Sequence, residues 1–184
     1  DLWNSQYAAA FEDFIDEYAL KYRVLQKQRE IAKREQIPSL EQYKLHPNTM
    51  QLGFIANLQK ISASGENKAL LISATGTGKT YASAFALREE GTKKVLFLVH
   101  REQIAKQAIA SYKKVFGNTR TFGLLSGNSK IFDADYLFAT MQMMAVLAKF
   151  SRDEFDTIII DEAHRIGAES YQNIMRYFTP KLWL

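Results

Sequence analysis

The sequence predicts an α/β fold in which a parallel β-sheet carries helices on both faces. From residue 69 onward, short apolar runs alternate with longer segments of helical periodicity, which is the pattern of a doubly wound sheet. The runs also lack the apolar–polar alternation of half-exposed strands, so we expect them to be covered on both faces. The predicted strands are residues 69–73, 95–99, 121–125, 136–140 and 157–161.

Three helices are predicted between these strands. The segment 80–90 stops at Gly91 and the segment 101–116 stops at Gly117, and glycine just past a helix is a common terminator. A third helix is predicted over residues 141–150. Upstream, Asn48 and Gln51 have the spacing of a capping box that starts a further helix, which ends near Gly65.

Residues 1–44 are predicted to be a helical N-terminal extension, and residues 45–184 the α/β domain. Within the extension, residues 5–35 are predicted to form one long helix that ends before Pro38. Its apolar stripe recurs at helical spacing: Phe11, Phe14, Ile15, Tyr18, Tyr22 and Leu25. Its second half is basic, which indicates either a solvated helix face or a contact with nucleic acid.

Composition excludes several classes of protein. The 184 residues are 47% hydrophobic and 24% charged, as in an ordinary soluble domain, and no apolar run approaches the roughly 18 residues of a membrane span. The acidic N-terminus does not resemble a signal peptide, so we expect a cytoplasmic protein with no membrane partner. The absence of cysteine excludes disulfides and thiolate zinc sites. A net charge of +4 permits a nucleic-acid partner without requiring one.

The stretch SATGTGKT at residues 73–80 nearly matches the phosphate-binding loop G-x-x-x-x-G-K-[ST], with serine in place of the first glycine. It follows a predicted buried strand and opens a predicted helix, where backbone N–H groups converge on phosphates. Gly76 and Gly78 allow a tight turn, Lys79 can reach the outer phosphates and Thr80 can ligate Mg²⁺. Thr75 and Thr77 complete the predicted ATP-binding loop. The alternative is a plain strand–turn–helix connection.

A second element, Asp161-Glu162-Ala163-His164, lies at the end of the predicted strand 157–161. A carboxylate in that place can hold Mg²⁺, and its neighbour can orient and activate an attacking water. Asp161 is therefore predicted to hold the metal and Glu162 to be the catalytic base. The alternative is that Asp161 caps a following helix and Glu162 is a surface charge. Both elements occur in the order that a nucleoside-triphosphate site requires.

The combination of ATGTGKT and DEAH resembles superfamily 2 helicases and translocases, the DEAD/DEAH-box group, in which alanine or serine often replaces the first glycine of the loop. The resemblance implies a RecA-like fold, ATP and Mg²⁺ as cofactors, and a nucleic-acid partner. It also implies that His164 couples the nucleotide state to the rest of the motor. The pairing with Val99-His100-Arg101 resembles the DNA-directed branch, which includes the motor subunits of type I and III restriction enzymes and related bacterial DNA helicases.

Weaker motifs add candidate contacts by the same resemblance. His100 and Arg101 resemble residues that touch the nucleic-acid backbone, and Thr140, in Ala139-Thr140-Met141-Gln142, resembles another phosphate contact. Gln51 resembles the glutamine that reads adenine, although asparagine occupies position 48, where the family often has arginine. The alternatives are helix-start residues for His100 and Arg101, a simple N-cap for Thr140 and a capping box for Gln51.

The sequence therefore predicts the first RecA-like domain of an ATP-dependent DNA helicase or translocase. It stops before the family's Ser/Thr-Ala-Thr element and lacks a second RecA-like domain with its arginine finger. We expect an incomplete motor domain whose parent chain hydrolyses ATP and which is nearly inactive alone. Three other functions stay open: an RNA-directed DEAH-box helicase, a P-loop ATPase without a nucleic-acid partner, and a regulatory module that only binds nucleotide.

Overall fold

The computed structural model describes residues 45–72, 78–143, 149–162 and 169–184. The predicted N-terminal helix lies outside these residues, so it and the domain division at residue 44 stay predictions. The helices are α1 Thr49–Ala63, α2 Lys79–Glu89, α3 Glu102–Phe116 and α4 Glu169–Tyr177. The strands are β1 Val95–Val99, β2 Phe122–Leu125, β3 Tyr136–Thr140, β4 Thr157–Ile160 and β5 Leu182–Trp183.

All pairings between these strands are parallel, in the order β2-β3-β1-β4-β5. In the shared register, Leu98 of β1 lies between Ala139 of β3 and Ile160 of β4. The carboxyl ends of these strands consequently meet along one edge of the sheet. Loops that follow the strands at that edge are where ligands bind in open α/β sheets.

The two faces of the sheet are both covered, as the sequence predicts. Val95, Phe97 and Val99 of β1 face one hydrophobic cluster, which includes buried residues of α1, α2 and α3. Leu96 and Leu98 face the other cluster, which includes residues of α4. Because successive side chains of a strand point to opposite faces, a wholly apolar strand requires both layers.

The strand predicted over residues 69–73 is wrong for its described part, because residues 69–72 form no strand. The segment meets the sheet through one parallel bridge between Lys68 and Trp183. Leu70 and Ile72 are 65% and 84% exposed. The backbone of residues 70–72 pairs with none of the described strands, which leaves these side chains uncovered.

Two further predictions of secondary structure need correction. The helix predicted over residues 141–150 begins as a 3₁₀ turn at Met141–Met143, and residues 149 and 150 are not helical; residues 144–148 lie outside the described part. Helix α4 was not predicted, although Tyr171, Ile174 and Phe178 are buried at helical spacing. None of the described helices is long and apolar enough to span a membrane.

Candidate functional site

Gly78 is the N-cap of helix α2, and its backbone lies in the left-handed region, with φ 86° and ψ 33°. Residues with a Cβ rarely adopt this conformation, so glycine permits the turn from the loop into the helix. Lys79 and Thr80 then form the first turn, at the positive end of the helix dipole. These three residues lie where the phosphate-loop motif predicts them. Thr75, Gly76 and Thr77 lie outside the described residues.

Gln51 contacts the same loop from helix α1. It is 6% exposed, and its Nε2 atom donates a hydrogen bond to the carbonyl oxygen of Gly78 over 3.3 Å. A Cβ atom added to Gly78 would lie 2.8 Å from Nε2. Gly78 is therefore required both by its own backbone and by the close approach of Gln51.

The capping box predicted at the start of α1 is confirmed. Asn48 N–H donates to Gln51 Oε1, and Gln51 N–H donates to Asn48 Oδ1, both over 2.9 Å. This pair of hydrogen bonds fixes the side chain of Gln51 against the helix end. The contact between Gln51 and Gly78 was not predicted, because no local pattern links residues so far apart in sequence.

Asp161 follows β4 at the carboxyl edge of the sheet. Its N–H donates to the carbonyl oxygen of Leu98 over 3.0 Å, and its Oδ1 accepts from the Glu162 N–H over 3.1 Å. Burial raises the pKa of the Asp161 carboxyl, and the charge of Glu162 raises it further, while the Glu162 N–H and the Lys79 ammonium act in the opposite direction. The effect of Lys79 shows that the start of α2 and the end of β4 are close enough to interact electrostatically.

Glu162 has a positive φ of 61°. Among the described residues it is the one non-glycine residue in this region. A left-handed conformation costs a residue with a Cβ roughly 1–2 kcal/mol, and such strain is concentrated at functional sites. The backbone turn at Glu162 therefore marks the end of β4 as a specialised position.

The sheet order explains how the two motifs meet. The chain that leads to the phosphate loop bridges to β5 at Lys68, and β5 pairs with β4, which ends beside Asp161. One strand, β5, consequently separates Lys68 from β4, which leads into Asp161 and Glu162. Lys79 begins α2 near this edge, since its charge acts to lower the pKa of the Asp161 carboxyl, against the larger effect of burial. His164 lies outside the described residues.

Thr80 and Asp161 offer a hydroxyl and a carboxylate oxygen, which are ligands that suit Mg²⁺. Within residues 45–72, 78–143, 149–162 and 169–184, no group of three or more His, Asp or Glu side chains could hold a metal ion.

The predicted nucleic-acid residues lie at the carboxyl ends of β1 and β3. Val99 and Thr140 are register partners, and His100 and Arg101 follow Val99 directly. Arg101 is exposed and has an extended backbone at the N-cap of α3, whereas His100 is half-buried. Thr140 is only 3% exposed. In this structure its side chain is covered, while Gln142 of the same motif is exposed.

Glu102, which was not predicted as a site residue, connects two elements at the carboxyl edge of the sheet. Its carboxylate pairs with Lys106 over 2.6 Å and accepts from Asn128 Nδ2 over 3.2 Å. The second contact joins the first turn of α3 to the loop that follows β2. Glu102 therefore connects this loop to the start of α3, where Arg101 lies. The contact could not be predicted, because a single glutamate at a helix start has no pattern that indicates a distant partner.

Comparisons with known proteins identify relatives of this chain. Residues 44–184 match the family described as "Type III restriction enzyme, res subunit". The chain is 34% identical over 116 residues to "Putative ATP-dependent helicase IRC3" of Saccharomyces cerevisiae, and the matched region covers 57% of this chain and 17% of that protein. It is 30% identical over 150 residues to "Type I restriction enzyme EcoAI endonuclease subunit" of Escherichia coli, which covers 72% of this chain and 18% of that one. The chain thus spans less than a fifth of the length of either relative.

Solved structures show the same fold at lower identity. The Type ISP restriction-modification enzyme LlaBIII bound to DNA superimposes with a TM-score of 0.59 at 22% identity, over 77% of this chain and 12% of that one. The Sulfolobus solfataricus SWI2/SNF2 ATPase core in complex with double-stranded DNA also gives 0.59, at 16% identity, over 77% of this chain and 32% of that one. The predicted α/β, RecA-like fold is confirmed by these likenesses. Because a family model matches residues 44–184, the chain belongs to the type III restriction enzyme res-subunit family, within the superfamily 2 helicases.

Proposed function

We propose that this chain is the ATP-binding domain of an ATP-dependent DNA helicase or translocase. The observation that carries the proposal is the position of Lys79 in the first turn of α2 and of Asp161 directly after β4, at the carboxyl edge of the sheet. A lysine and a carboxylate at those two ends are what a magnesium–triphosphate complex requires. Family membership supports the same reaction class.

Each predicted residue then has a role in binding or hydrolysis. Lys79, with the loop residues Thr75 to Gly78, binds the outer phosphates. Thr80 and Asp161 would hold Mg²⁺, which neutralises charge on the phosphates when it is bound. Glu162 accepts the proton of the attacking water and orients it. His164 couples the nucleotide state to the rest of the motor.

Gln51 can read adenine without losing its structural contacts. An amide oxygen has two lone pairs and an amide nitrogen has two N–H groups. Oε1 uses one lone pair for Asn48, and Nε2 uses one N–H for Gly78. One lone pair and one N–H remain, which is the number that adenine N6 and N7 would use.

DNA is the proposed nucleic acid, with RNA as the less favoured partner. The likeness to DNA-bound restriction enzymes and the position of exposed Arg101 at the sheet edge support it. His100 and Arg101 would contact the phosphate backbone of the DNA. Thr140, at the end of β3, would contact it once the residues that cover its side chain move. We further propose a cytoplasmic protein in which a second RecA-like domain completes the catalytic site.

The test is ATP hydrolysis by the full-length protein, alone and with single-stranded DNA, duplex DNA or RNA, with Glu162→Gln as the control variant. Stimulation by DNA and not by RNA, lost in the variant, is the expected result. Stimulation by RNA alone would place the protein with the RNA-directed helicases. Hydrolysis without stimulation by any nucleic acid would favour a P-loop ATPase without such a partner, and nucleotide binding without hydrolysis would favour a regulatory module.

A further inference from the structure

A buried chain of two hydrogen bonds joins helix α3 to the first turn of α2. The hydroxyl oxygens of Ser83 and Tyr112 lie 2.8 Å apart, and Ser83 Oγ donates to the carbonyl oxygen of Thr80 over 3.0 Å. Tyr112 is wholly buried and Ser83 is 4% exposed. A link of this kind is not needed to pack two helices, because apolar contacts already do so.

The direction of both hydrogen bonds follows from the number of protons. A serine hydroxyl has one proton, and Ser83 uses it for the carbonyl of Thr80. The proton in the second bond must then come from Tyr112, so the chain runs from Tyr112 to Ser83 to Thr80. Burial raises the pKa of the Tyr112 phenol, which keeps this donor protonated.

The environment of Tyr112 fixes its hydroxyl in place. Its ring packs edge-on against Phe97 and Phe138, with ring centroids 5.7 and 5.2 Å away. A phenol enclosed by such rings has little rotational freedom, and leaving its hydroxyl without a partner would be costly. Tyr112 is therefore a rigid donor that selects one rotamer of Ser83.

The Thr80 end of this chain of hydrogen bonds lies at the proposed metal site. A serine that bonds to the carbonyl three residues earlier alters the geometry of its helical turn. That turn contains Thr80, whose hydroxyl would ligate Mg²⁺ in the proposed function. Small displacements of a ligand matter at this site, because Mg²⁺ requires nearly ideal octahedral geometry.

We propose that Tyr112 and Ser83 are positioning residues that hold Thr80 in the orientation required for the magnesium–nucleotide complex. The proposal rests on the proposed function of the site. It assigns to α3, the helix that begins beside Arg101, a direct hydrogen-bonded connection to the phosphate helix. Neither Tyr112 nor Ser83 would touch nucleotide or metal.

Tyr112→Phe tests the proposal, with Tyr136→Phe as a matched control. Tyr136 is fully buried in the same aromatic cluster, but its hydroxyl donates to the carbonyl of Thr92, at the amino end of β1, over 2.9 Å. Both variants lose one buried tyrosine hydroxyl. ATP affinity of the full-length protein would be measured by titration with Mg²⁺ and again with EDTA, and thermal unfolding would be followed in parallel.

We expect Tyr112→Phe to reduce the Mg²⁺-dependent gain in ATP affinity by about threefold to tenfold, the range that one hydrogen bond supplies. ATP affinity in EDTA should stay unchanged, and Tyr136→Phe should keep the full gain. If Tyr112→Phe does not fold, Ser83→Ala removes the same link to Thr80, and Ser83→Thr, which keeps the hydroxyl, should restore the gain.

The outcomes separate this proposal from the proposed function. A wild-type protein whose ATP affinity does not depend on Mg²⁺ would overturn the proposed site itself. A wild-type protein with the gain, together with equal effects of the Tyr112 and Tyr136 variants, would overturn only the positioning role. An equal loss of ATP affinity in EDTA and in Mg²⁺ would also overturn it, because that result indicates general destabilisation.

Discussion

Gln51 Nε2 donates a hydrogen bond to the carbonyl oxygen of Gly78 over 3.3 Å, which joins the buried side of α1 to the last residue of the phosphate loop. The contact exists because Gly78 has no Cβ: the missing atom would lie 2.8 Å from Nε2. Two constraints, a left-handed backbone and a close neighbour, therefore meet at one glycine.

Gly78→Ala should weaken ATP binding by about tenfold or more, equivalent to at least about 1.4 kcal/mol. The alanine would strain a backbone with φ 86° and also displace Gln51. Gly91→Ala is the matched control, since Gly91 has φ 67° but open space around a Cβ. That variant should lose about 1–2 kcal/mol of folding stability and bind ATP normally; equal losses of ATP affinity in both variants would contradict the argument.

Gln51→Ala should reduce the preference for ATP over GTP by about tenfold, because the remaining lone pair and N–H of the amide would no longer recognise adenine. Asn48→Ala separates this effect from the loss of the cap. Asn48→Ala removes the N-cap oxygen and should lose about 1 kcal/mol of folding stability, whereas Gln51→Ala keeps its backbone N–H on Asn48 Oδ1 and should lose less from the cap. Competition binding with ATP and GTP checks the prediction, and an unchanged preference in Gln51→Ala would show that the residue only caps α1.

Two substitutions of Glu162 should distinguish the catalytic role of its side chain from the strain in its backbone. Glu162→Gln should abolish hydrolysis and keep ATP binding, since the amide is a poor proton acceptor. Glu162→Gly should also abolish hydrolysis, but its unfolding free energy should exceed that of the glutamine variant by about 1 kcal/mol, because φ is 61° at this position. Urea denaturation of the two variants measures the difference, and equal stabilities would mean that the turn is unstrained.

The sequence predicted the elements whose signals are local. The apolar run of β1 matches its predicted bounds, since such a run is stable only between two covering layers. The capping box at Asn48 was predictable because it needs only two residues three positions apart. The positions of Lys79, Asp161 and Glu162 followed from motifs at the ends of strands.

Features that depend on distant residues could not be predicted in this way. Leu70 and Ile72 belong to an apolar run, yet both are exposed because their backbone pairs with none of the described strands. The covered position of Thr140 depends on packing around the end of β3. The links from Gln51 to Gly78 and from Tyr112 to Ser83 each join residues that are far apart in sequence. Tertiary packing, rather than local preference, determines all of these.

Arg101→Ala should weaken DNA binding and reduce the slope of log affinity against log salt concentration by about one, the effect of one lost phosphate contact. Lys114→Ala is the control, because Lys114 is equally cationic and exposed but lies in the last turn of the same helix. Fluorescence anisotropy with labelled duplex DNA at several salt concentrations measures both slopes. Identical slopes for the two variants would indicate nonspecific attraction to net charge instead of a contact at Arg101.

Asp156 should make folding stability sensitive to acid at the opposite, amino edge of the sheet. Its Oδ2 accepts from the N–H groups of Lys93 and Lys94 over 3.2 and 3.0 Å, and its Oδ1 pairs with Lys181 Nζ over 2.7 Å. Burial alone would raise the pKa of this carboxyl, but the Lys181 side chain and the two backbone donors outweigh burial and lower it below 3.8.

A carboxyl with a lowered folded-state pKa stabilises the protein above its unfolded-state pKa, and the contribution disappears as pH falls through the folded value. Asp156→Asn should therefore lower the free energy of unfolding by roughly 1 kcal/mol near pH 7. This loss is smaller than that of a fully buried charged hydrogen bond, because Lys181 is exposed. The difference from wild type should be constant above about pH 5 and should shrink as the pH falls below the ordinary pKa of an aspartate. Lys181→Ala, which leaves the two backbone N–H donors to Asp156 in place, should lower the free energy of unfolding by less. Chemical denaturation of the three proteins across this pH range measures the effect, and a difference that persists at low pH would show that the Asp156 charge is not its source.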